Sequence, residues 1–162
     1  MEFEIGPAGP GDAGPILTVQ RAAYVAEAQL YGDPFIAPLV ESLEQVRAAV
    51  TDAGTVMLAA TAGGRVIGAV RGRVQERTCL VGRLVVAPDA QRAGVGRALM
   101  TALEEAVAGR ADACVLFTGH LSDANLRLYR RLGYTETRRE RLAAHLTLVH
   151  LRKPLVAGAV AP

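Results

Sequence analysis

The chain has 162 residues with a formal net charge of +2, and 51% of them are hydrophobic against 21% charged. That is the length of one domain with a sizeable buried core, in a composition too apolar to leave the whole chain disordered. With no Trp, three Phe and four Tyr, it lacks the stacking platforms and clustered basic face that nucleic-acid binders use, so no nucleic-acid partner is expected.

Met1 to Gly14 contains Glu2, Glu4 and Asp12 and has no apolar signal core, and no apolar run in the chain is long enough to span a bilayer. A cytoplasmic location without a membrane partner is the expectation. Phe3 to Ile5 reads as a short strand, followed by a connector dense in Gly and Pro and by Asp12 as a helix cap. From Ala13 to about Leu30, Ile16, Leu17, Val19, Ala23, Tyr24 and Ala28 give a helix one buried side, and Tyr31-Gly32-Asp33-Pro34 ends it in a turn. Ser42 and Gln45 have the spacing of a capping box for a second helix with Leu43, Val46, Ala49 and Val50 inward.

Val56 to Thr61 and Arg65 to Val74 flank Ala62-Gly63-Gly64 and read as an antiparallel hairpin, on which Arg71 and Arg73 suit a solvated face. An apolar strand follows from Leu80 to Val86. Helical spacing then begins at Val95 and continues through Ala98, Leu99, Ala102, Leu103 and Ala106, with Gly109 as the stop. Ala113 to Thr118 is a continuous apolar strand, so these three segments form a βαβ unit. Ser122 caps a short helix ending at Gly133, Thr135 to Arg141 and Ala144 to Lys153 read as a closing hairpin, and the tail 154–162 has no period and is expected to fray. The fold class is therefore mixed α+β, with antiparallel and parallel strands in one sheet and helices on both faces.

Cys79 and Cys114 begin two of the strands and belong to no metal or redox motif, so they read as buried reduced thiols. They could approach each other if those strands are parallel neighbours. His145 and His150 alternate with apolar residues and have no Cys or acidic residue beside them in the sequence, so no metal is expected.

The join between the strand ending at Val86 and the helix at Val95 carries the chemistry. Its run Gln91-Arg92-Ala93-Gly94-Val95-Gly96-Arg97 combines two glycines with a helix N-terminus, whose free amides and positive dipole end suit a phosphate or pyrophosphate. It is not a P-loop, because Arg97 and Ala98 stand where Lys and Ser or Thr are needed. It is not the dinucleotide fingerprint either, because Leu99 occupies the place of the third small residue.

Gln91-x-x-Gly94-x-Gly96 instead resembles the Q/R-x-x-G-x-G/A loop of the GNAT superfamily of N-acetyltransferases. Val81-Gly82-Arg83-Leu84-Val85-Val86-Ala87-Pro88 looks like that family's fourth strand, and Ser122-Asp123-Ala124-Asn125-Leu126-Arg127-Leu128-Tyr129-Arg130-Arg131-Leu132-Gly133-Tyr134 is similar to its later helix. The match is strong over about residues 80 to 134; elsewhere only the order of elements agrees. Ala93 departs from a place that is often basic, which leaves phosphate charge to Arg92 and Arg97.

The resemblance implies a GNAT-like domain over 1–153, with a mostly antiparallel sheet of six to seven strands split in a V between strands 4 and 5. It implies acetyl-CoA as the cofactor, its pyrophosphate on Gln91, Arg92, Ala93, Gly94, Val95, Gly96 and Arg97. Main-chain donors at Leu84, Val85 and Val86 would meet the thioester carbonyl, Asn125 the pantetheine arm, and Tyr129 the thiolate as proton donor. The same residues also suit plain packing roles: core side chains for the strand and Tyr129, a first-turn polar residue for Asn125.

The base is open at this level. No Glu lies on the fourth strand, and Arg83 stays protonated. Glu41 is preferred, because Asp33-Pro34-Phe35-Ile36-Ala37-Pro38-Leu39 before it suits a pocket wall; Glu27, His120 and a water-mediated route are the alternatives, and a solvated surface place is the plain reading of both Glu residues. The implied function is acetyl transfer from acetyl-CoA to the primary amine of a small molecule, by direct attack in a ternary complex. A non-catalytic acyl-CoA sensor and an acetyltransferase of protein or peptide amines are the alternatives, and the closing hairpin could support a homodimer.

Overall fold

The computed structural model describes residues 1–156. In chain order the elements are β1 (Glu4–Pro7), α1 (Ala13–Tyr31), α2 (Ala37–Val40), α3 (Leu43–Thr51), β2 (Thr55–Ala62), β3 (Arg65–Gln75), β4 (Thr78–Val86), α4 (Val95–Val107), β5 (Ala113–Gly119), α5 (Asp123–Arg131), β6 (Thr135–Ala143) and β7 (Leu146–Pro154), with short 3-10 turns at Pro10–Asp12 and Pro88–Ala90. Seven strands form one sheet in the order β1-β2-β3-β4-β5-β7-β6. Every neighbouring pair is antiparallel except β4 and β5, which are parallel. The mixed α+β class is thus the observed one.

Helix α4 buries Val95, Leu99, Met100, Leu103 and Val107, a stripe at helical spacing. It lies against β3 at Gly68 and Gly72, whose missing Cβ positions meet Leu99 and Leu103. Residues of opposite parity on β3, including Arg71, face the layer of α1 to α3. Both faces of β3 are therefore covered, as its unbroken buried run from Val66 to Val70 requires.

Ser42 and Gln45 form the expected capping box: the Gln45 amide donates to Ser42 Oγ at 3.1 Å and the Ser42 amide to Gln45 Oε1 at 2.8 Å. Other local expectations give way to tertiary contacts. Asp12 makes no cap bond to α1; its carboxylate accepts from the Gly9 amide at 2.7 Å inside the 3-10 turn. The apolar segment before Glu41 contains the one-turn helix α2, too short for periodicity to reveal. Ser122 stands at the N-cap of α5 without a side-chain cap bond, because its hydroxyl is engaged across the fold. At the C-terminus, Pro154 closes β7, the Leu155 amide donates to the Asp112 carbonyl at 2.7 Å, and Leu155 packs on the core. The rest of the expected tail, 157–162, lies outside the described residues.

Cys79 and Cys114 are direct register partners on the parallel β4–β5 pair, both free thiols and fully buried. Contact with Cys114, together with burial, pushes the Cys79 thiol well above the ordinary range. We expect neither thiol to react with a water-soluble disulfide reagent in the native protein and both to react after denaturation; rapid labelling of the folded chain would contradict this placement.

Candidate active site

The loop from Gln91 enters α4 through two left-handed residues, Arg92 at φ 64° and Gly94 at φ 82°. The second is the N-cap and offers no side chain to the helix amides. The first amide of α4 to find a carbonyl is that of Ala98, which bonds Gly94 O at 3.0 Å. Among the described residues the amides of Val95, Gly96 and Arg97 are left without a main-chain partner at the positive end of a 13-residue helix. Gln91, Arg92, Gly94 and Arg97 are exposed, Ala93 and Gly96 half-buried. An open recess of about 390 Å³ runs on from this turn along Gly94, Arg97, Ala98, Thr101, Ala102 and Glu105. This donor set fits a diphosphate: unbonded N–H groups, two exposed guanidinium side chains and no competing acid on the loop.

Beside the loop, the sheet opens. Strand β4 pairs with β5 only from Thr78 to Leu80, opposite Ala113 to Val115, and then the two part. On its other edge β4 continues alongside β3 to Val86, and the Ala87 amide donates to Ile67 O at 2.7 Å. The two-residue alternation of a strand then turns the amides of Leu84 and Val86 toward the side that β5 has left, and that of Val85 toward β3. The split supplies main-chain donors where a carbonyl oxygen could sit.

A bulge sets which side chains line the split. The β3–β4 register shifts between Ala69 and Arg71, and on β4 Arg83 adopts φ 53°. Upstream of it, Cys79 points to the α4 face, where a Cβ on Gly72 would meet its sulfur. Downstream, Leu84 and Val86 point to the α4 face at Gly96. Simple alternation from Cys79 would put Arg83 on the α4 face as well; the left-handed residue instead delivers its guanidinium to the opposite face, where Nε reaches Glu41 Oε1 at 3.5 Å.

Glu41 sits at the end of α2 with its side chain 11% exposed. Arg71 grips it with both terminal nitrogens at 2.9 Å, and Gln20 Nε2 donates to it at 2.9 Å. Gln20 is fully buried; the same Nε2 also donates to Pro38 O at 2.9 Å, and its Oε1 has no protein partner among the described residues. Burial pushes the Glu41 carboxyl up, but the hydrogen bonds from Arg71 and Gln20 and the charges of Arg71 and Arg83 outweigh it and hold the pKa at about 2. A carboxylate so saturated accepts a proton poorly. Arg71 is therefore no solvated strand residue: its side chain is 17% exposed and clamps the end of α2 through Glu41.

This pair gives a sign-definite prediction. The folded pKa of Glu41 lies below its unfolded value, so its contribution to stability is complete above the unfolded pKa of about 4.3 and is lost as pH falls through about 2. Glu41→Gln is expected to cost about 3 kcal/mol at neutral pH, the low end for breaking a buried ion pair, and the gap to wild type should narrow toward pH 2. Melting temperatures of both proteins across that range check it; a gap independent of pH would contradict it.

Tyr129, on α5, is buried at 7% exposure, with its ring against Tyr134 at 5.9 Å between centroids. Its hydroxyl has no hydrogen-bond partner among the described residues. Burial, then the nearby Tyr24 and Glu27, push the phenol well above the ordinary tyrosine value. Tyr24 and Glu27 both come from α1. Burial likewise raises Tyr24, to about 12, with Arg83 and Arg71 pulling it down and Glu27 pulling it up.

Glu27 accepts from Ser122 Oγ at 2.6 Å, and Ser122 Oγ also lies 2.8 Å from the Tyr31 hydroxyl, which takes the Leu121 amide at 2.9 Å. Tyr31 fits there because Gly119 lacks a Cβ: one would stand 1.9 Å from the phenol oxygen. This network pins α1 to the turn between β5 and α5.

His120 is turned away from this pair: Nδ1 accepts from the Thr147 amide at 3.0 Å and the ring packs near Tyr31. Asn125 Nδ2 donates to Thr118 Oγ1 at 3.4 Å at the start of α5. His145 and His150 meet acids brought from elsewhere in the fold, Asp33 at 3.2 Å and Glu140 at 3.1 Å. Among the described residues no group of three or more possible metal ligands exists. Nor is any described helix long and apolar enough to cross a membrane. Tyr24, Gln20, Arg71, Arg83 and Ser122 enter the site without having been singled out for it by the sequence, since each is placed by a partner far along the chain.

The family model described as "Acetyltransferase (GNAT) domain" matches residues 22–155. A comparison with curated proteins gives no match. Among solved structures, the fold is similar to the ribosomal-protein-S18-alanine N-acetyltransferase of Escherichia coli at 18% identity and TM-score 0.79, covering 95% of this chain and 94% of that one. It is similar to the PaiA N-acetyltransferase of Thermoplasma acidophilum, solved with coenzyme A, at 16% identity and TM-score 0.75, covering 93% and 98%. YncA of Salmonella typhimurium, a putative acetyltransferase solved with acetyl-CoA, gives 19% identity and TM-score 0.77 over 96% and 95%. With the family model spanning the split sheet, the α4 loop and the α5 tyrosine, the chain belongs to the GNAT acetyltransferase family.

Proposed function

We propose that this protein transfers an acetyl group from acetyl-CoA to the primary amine of a small molecule, by direct attack within a ternary complex. The observation that carries the proposal is the meeting of β4, α4 and α5 at Gly96, which joins three donor-bearing elements: the free first-turn amides of α4, the β4 edge unpaired with β5 after Leu80, and α5 with its Tyr129 hydroxyl. When bound, acetyl-CoA supplies an acyl group activated as a thioester. The amides of Val95, Gly96 and Arg97, with Arg92 and Arg97, hold its diphosphate, and Asn125 flanks the pantetheine arm. The Leu84 and Val86 amides donate to the carbonyl oxygen as negative charge develops on it, the arrangement that gives main-chain donors their largest catalytic effect.

An ammonium acceptor first gives up one proton. Glu27 suits that task better than Glu41, since it is tied to Ser122 at the start of α5 and has no arginine on its carboxylate among the described residues, while Glu41 serves as the counter-ion that positions Arg71 and Arg83. The amine nitrogen then forms the C–N bond, the C–S bond breaks with its electron pair on sulfur, and the second amine proton leaves to solvent. Tyr129, remaining protonated, donates a hydrogen bond to the departing thiolate. Neither cysteine takes part, both being buried under the sheet.

Release of free thiol from acetyl-CoA, followed over a panel of small amines and amino-terminal peptides, tests the proposal. Amine-dependent release with a small molecule is the expected result. Tight coenzyme binding without release for any amine would replace it by the acyl-CoA sensor, and release with peptides alone would move the acceptor to protein amines.

A further inference from the structure

Arg83 is partly buried, 26% exposed, yet its only contact with an acid is the long one from Nε to Glu41. Its two terminal nitrogens have no partner among the described residues. Arg71, by contrast, spends both of its terminal nitrogens on Glu41. The cluster of Glu41, Arg71 and Arg83 thus carries one positive charge more than its negative charge, and that charge is the open fork of Arg83. Neither terminal nitrogen is fully buried, so water reaches the fork, and a carboxylate entering there would exchange that water for a charge-assisted pair. The chain does satisfy other guanidinium forks with aspartates, Arg65 with Asp89 and Arg77 with Asp112, both far more exposed.

Position gives the empty fork its meaning. Arg83 directly precedes Leu84, the first of the two residues whose amides face the split, and the bulge carries its side chain to the face that holds Glu41. There its charge acts on Tyr24, and Tyr24 and Glu27 act in turn on Tyr129. The fork thus stands one residue from the first of the amides proposed to meet the thioester.

We infer that the acceptor is an amino acid, a small molecule whose carboxylate is taken by the Arg83 fork while its amine meets the thioester at the β4 edge. Glu41 lies 3.5 Å from Arg83 on its Nε side and is itself held by Arg71, which leaves the two terminal nitrogens of Arg83 for a bidentate carboxylate. This inference rests on the acetyl-transfer reading above and narrows it: a peptide amino terminus has a neutral amide where an amino acid has its carboxylate.

The test compares acetylation of an amino acid, its carboxamide, the matching decarboxylated amine and a tripeptide by wild type, Arg83→Gln and Arg83→Lys. The free carboxylate should raise kcat/KM about 10-fold over the carboxamide, the worth of one charge-assisted hydrogen bond. Arg83→Gln should erase that preference through KM of the acceptor while KM for acetyl-CoA stays unchanged, and Arg83→Lys, which keeps charge without the fork, should recover part of it. Carboxamide or peptide turned over as well as the amino acid, or a preference surviving in Arg83→Gln, would overturn the inference while leaving acetyl transfer intact. If no amine is acetylated, calorimetric binding of the same four compounds to the coenzyme-loaded protein decides: carboxylate-selective binding lost in Arg83→Gln supports the subsite, and its absence overturns it.

Discussion

Replacing Gly94 with Val is expected to weaken coenzyme A binding by about 10- to 100-fold, the equivalent of 1–3 kcal/mol of backbone strain at a β-branched residue forced to positive φ. Gly94 holds φ 82° as the residue that turns the loop into α4, and a Cβ there would meet no protein atom within 4 Å. The penalty is therefore conformational, not a clash with the core. A valine at this position drives the loop toward negative φ, and the amides of Val95, Gly96 and Arg97 lose the shared direction that lets them converge on one diphosphate. Gly94→Ala should fall between the two. Because α4 keeps its buried stripe of Val95, Leu99 and Leu103, the variant should still fold, which circular dichroism would show; full-strength binding by Gly94→Val would contradict the role assigned to the loop.

Tyr129→Phe is expected to lower kcat by about 100-fold at saturating acetyl-CoA, the lower range for losing one positioned hydrogen-bond donor to developing negative charge, with coenzyme affinity nearly unchanged. The phenol is buried, has no partner among the described residues and stays protonated at any working pH. A group in that state can donate to a leaving sulfur and gives little to ground-state binding, so its loss should appear in kcat and not in KM. The hydroxyl holds up no hydrogen bond in the fold, and the ring contact with Tyr134 survives in Phe, so stability should change little. An unchanged kcat would remove Tyr129 from the reaction. A loss divided between kcat and melting temperature would make it a packing residue.

The parts of the architecture visible in the sequence are those set by local rules. Val95, Leu99 and Leu103 mark α4 by spacing alone, Ser42 and Gln45 mark the start of α3, and the glycines at 63 and 64 mark the β2–β3 turn. The parallel pairing that brings Cys79 opposite Cys114 follows from a βαβ order. What was hidden depends on long-range partners. Nothing in Val81-Gly82-Arg83-Leu84 marks residue 83 as the left-handed one, since glycine, the usual signal, stands one place earlier at Gly82. Alternation on β3 puts Arg71 among small and apolar neighbours, as a solvated face would, and only Glu41, thirty residues away, shows it to be an ion-pair clamp. Ser122 has the residue type and position of a cap, yet the stronger acceptor Glu27 and the Tyr31 phenol, more than ninety residues distant, claim its hydroxyl.

The same contrast separates the two halves of the site. The coenzyme side is carried by main-chain amides and glycine positions within one short stretch, so a motif can represent it. The proposed acceptor side is assembled from α1, the α2 turn, β3 and the β4 bulge, so no contiguous pattern encodes it. Its charge arrangement, with Glu41 sealed by arginines and Glu27 beside the tyrosine, is a property of packing.

The account turns on the first turn of α4 as the seat of a diphosphate. Calorimetric titration of the protein with coenzyme A, desulfo-coenzyme A and ADP measures that directly. The account predicts that the two coenzyme forms bind alike, that ADP binds more weakly but measurably, and that all three weaken as added salt screens the charges. Coenzyme A that produces no binding at low salt, or binding that ADP cannot share, would contradict it.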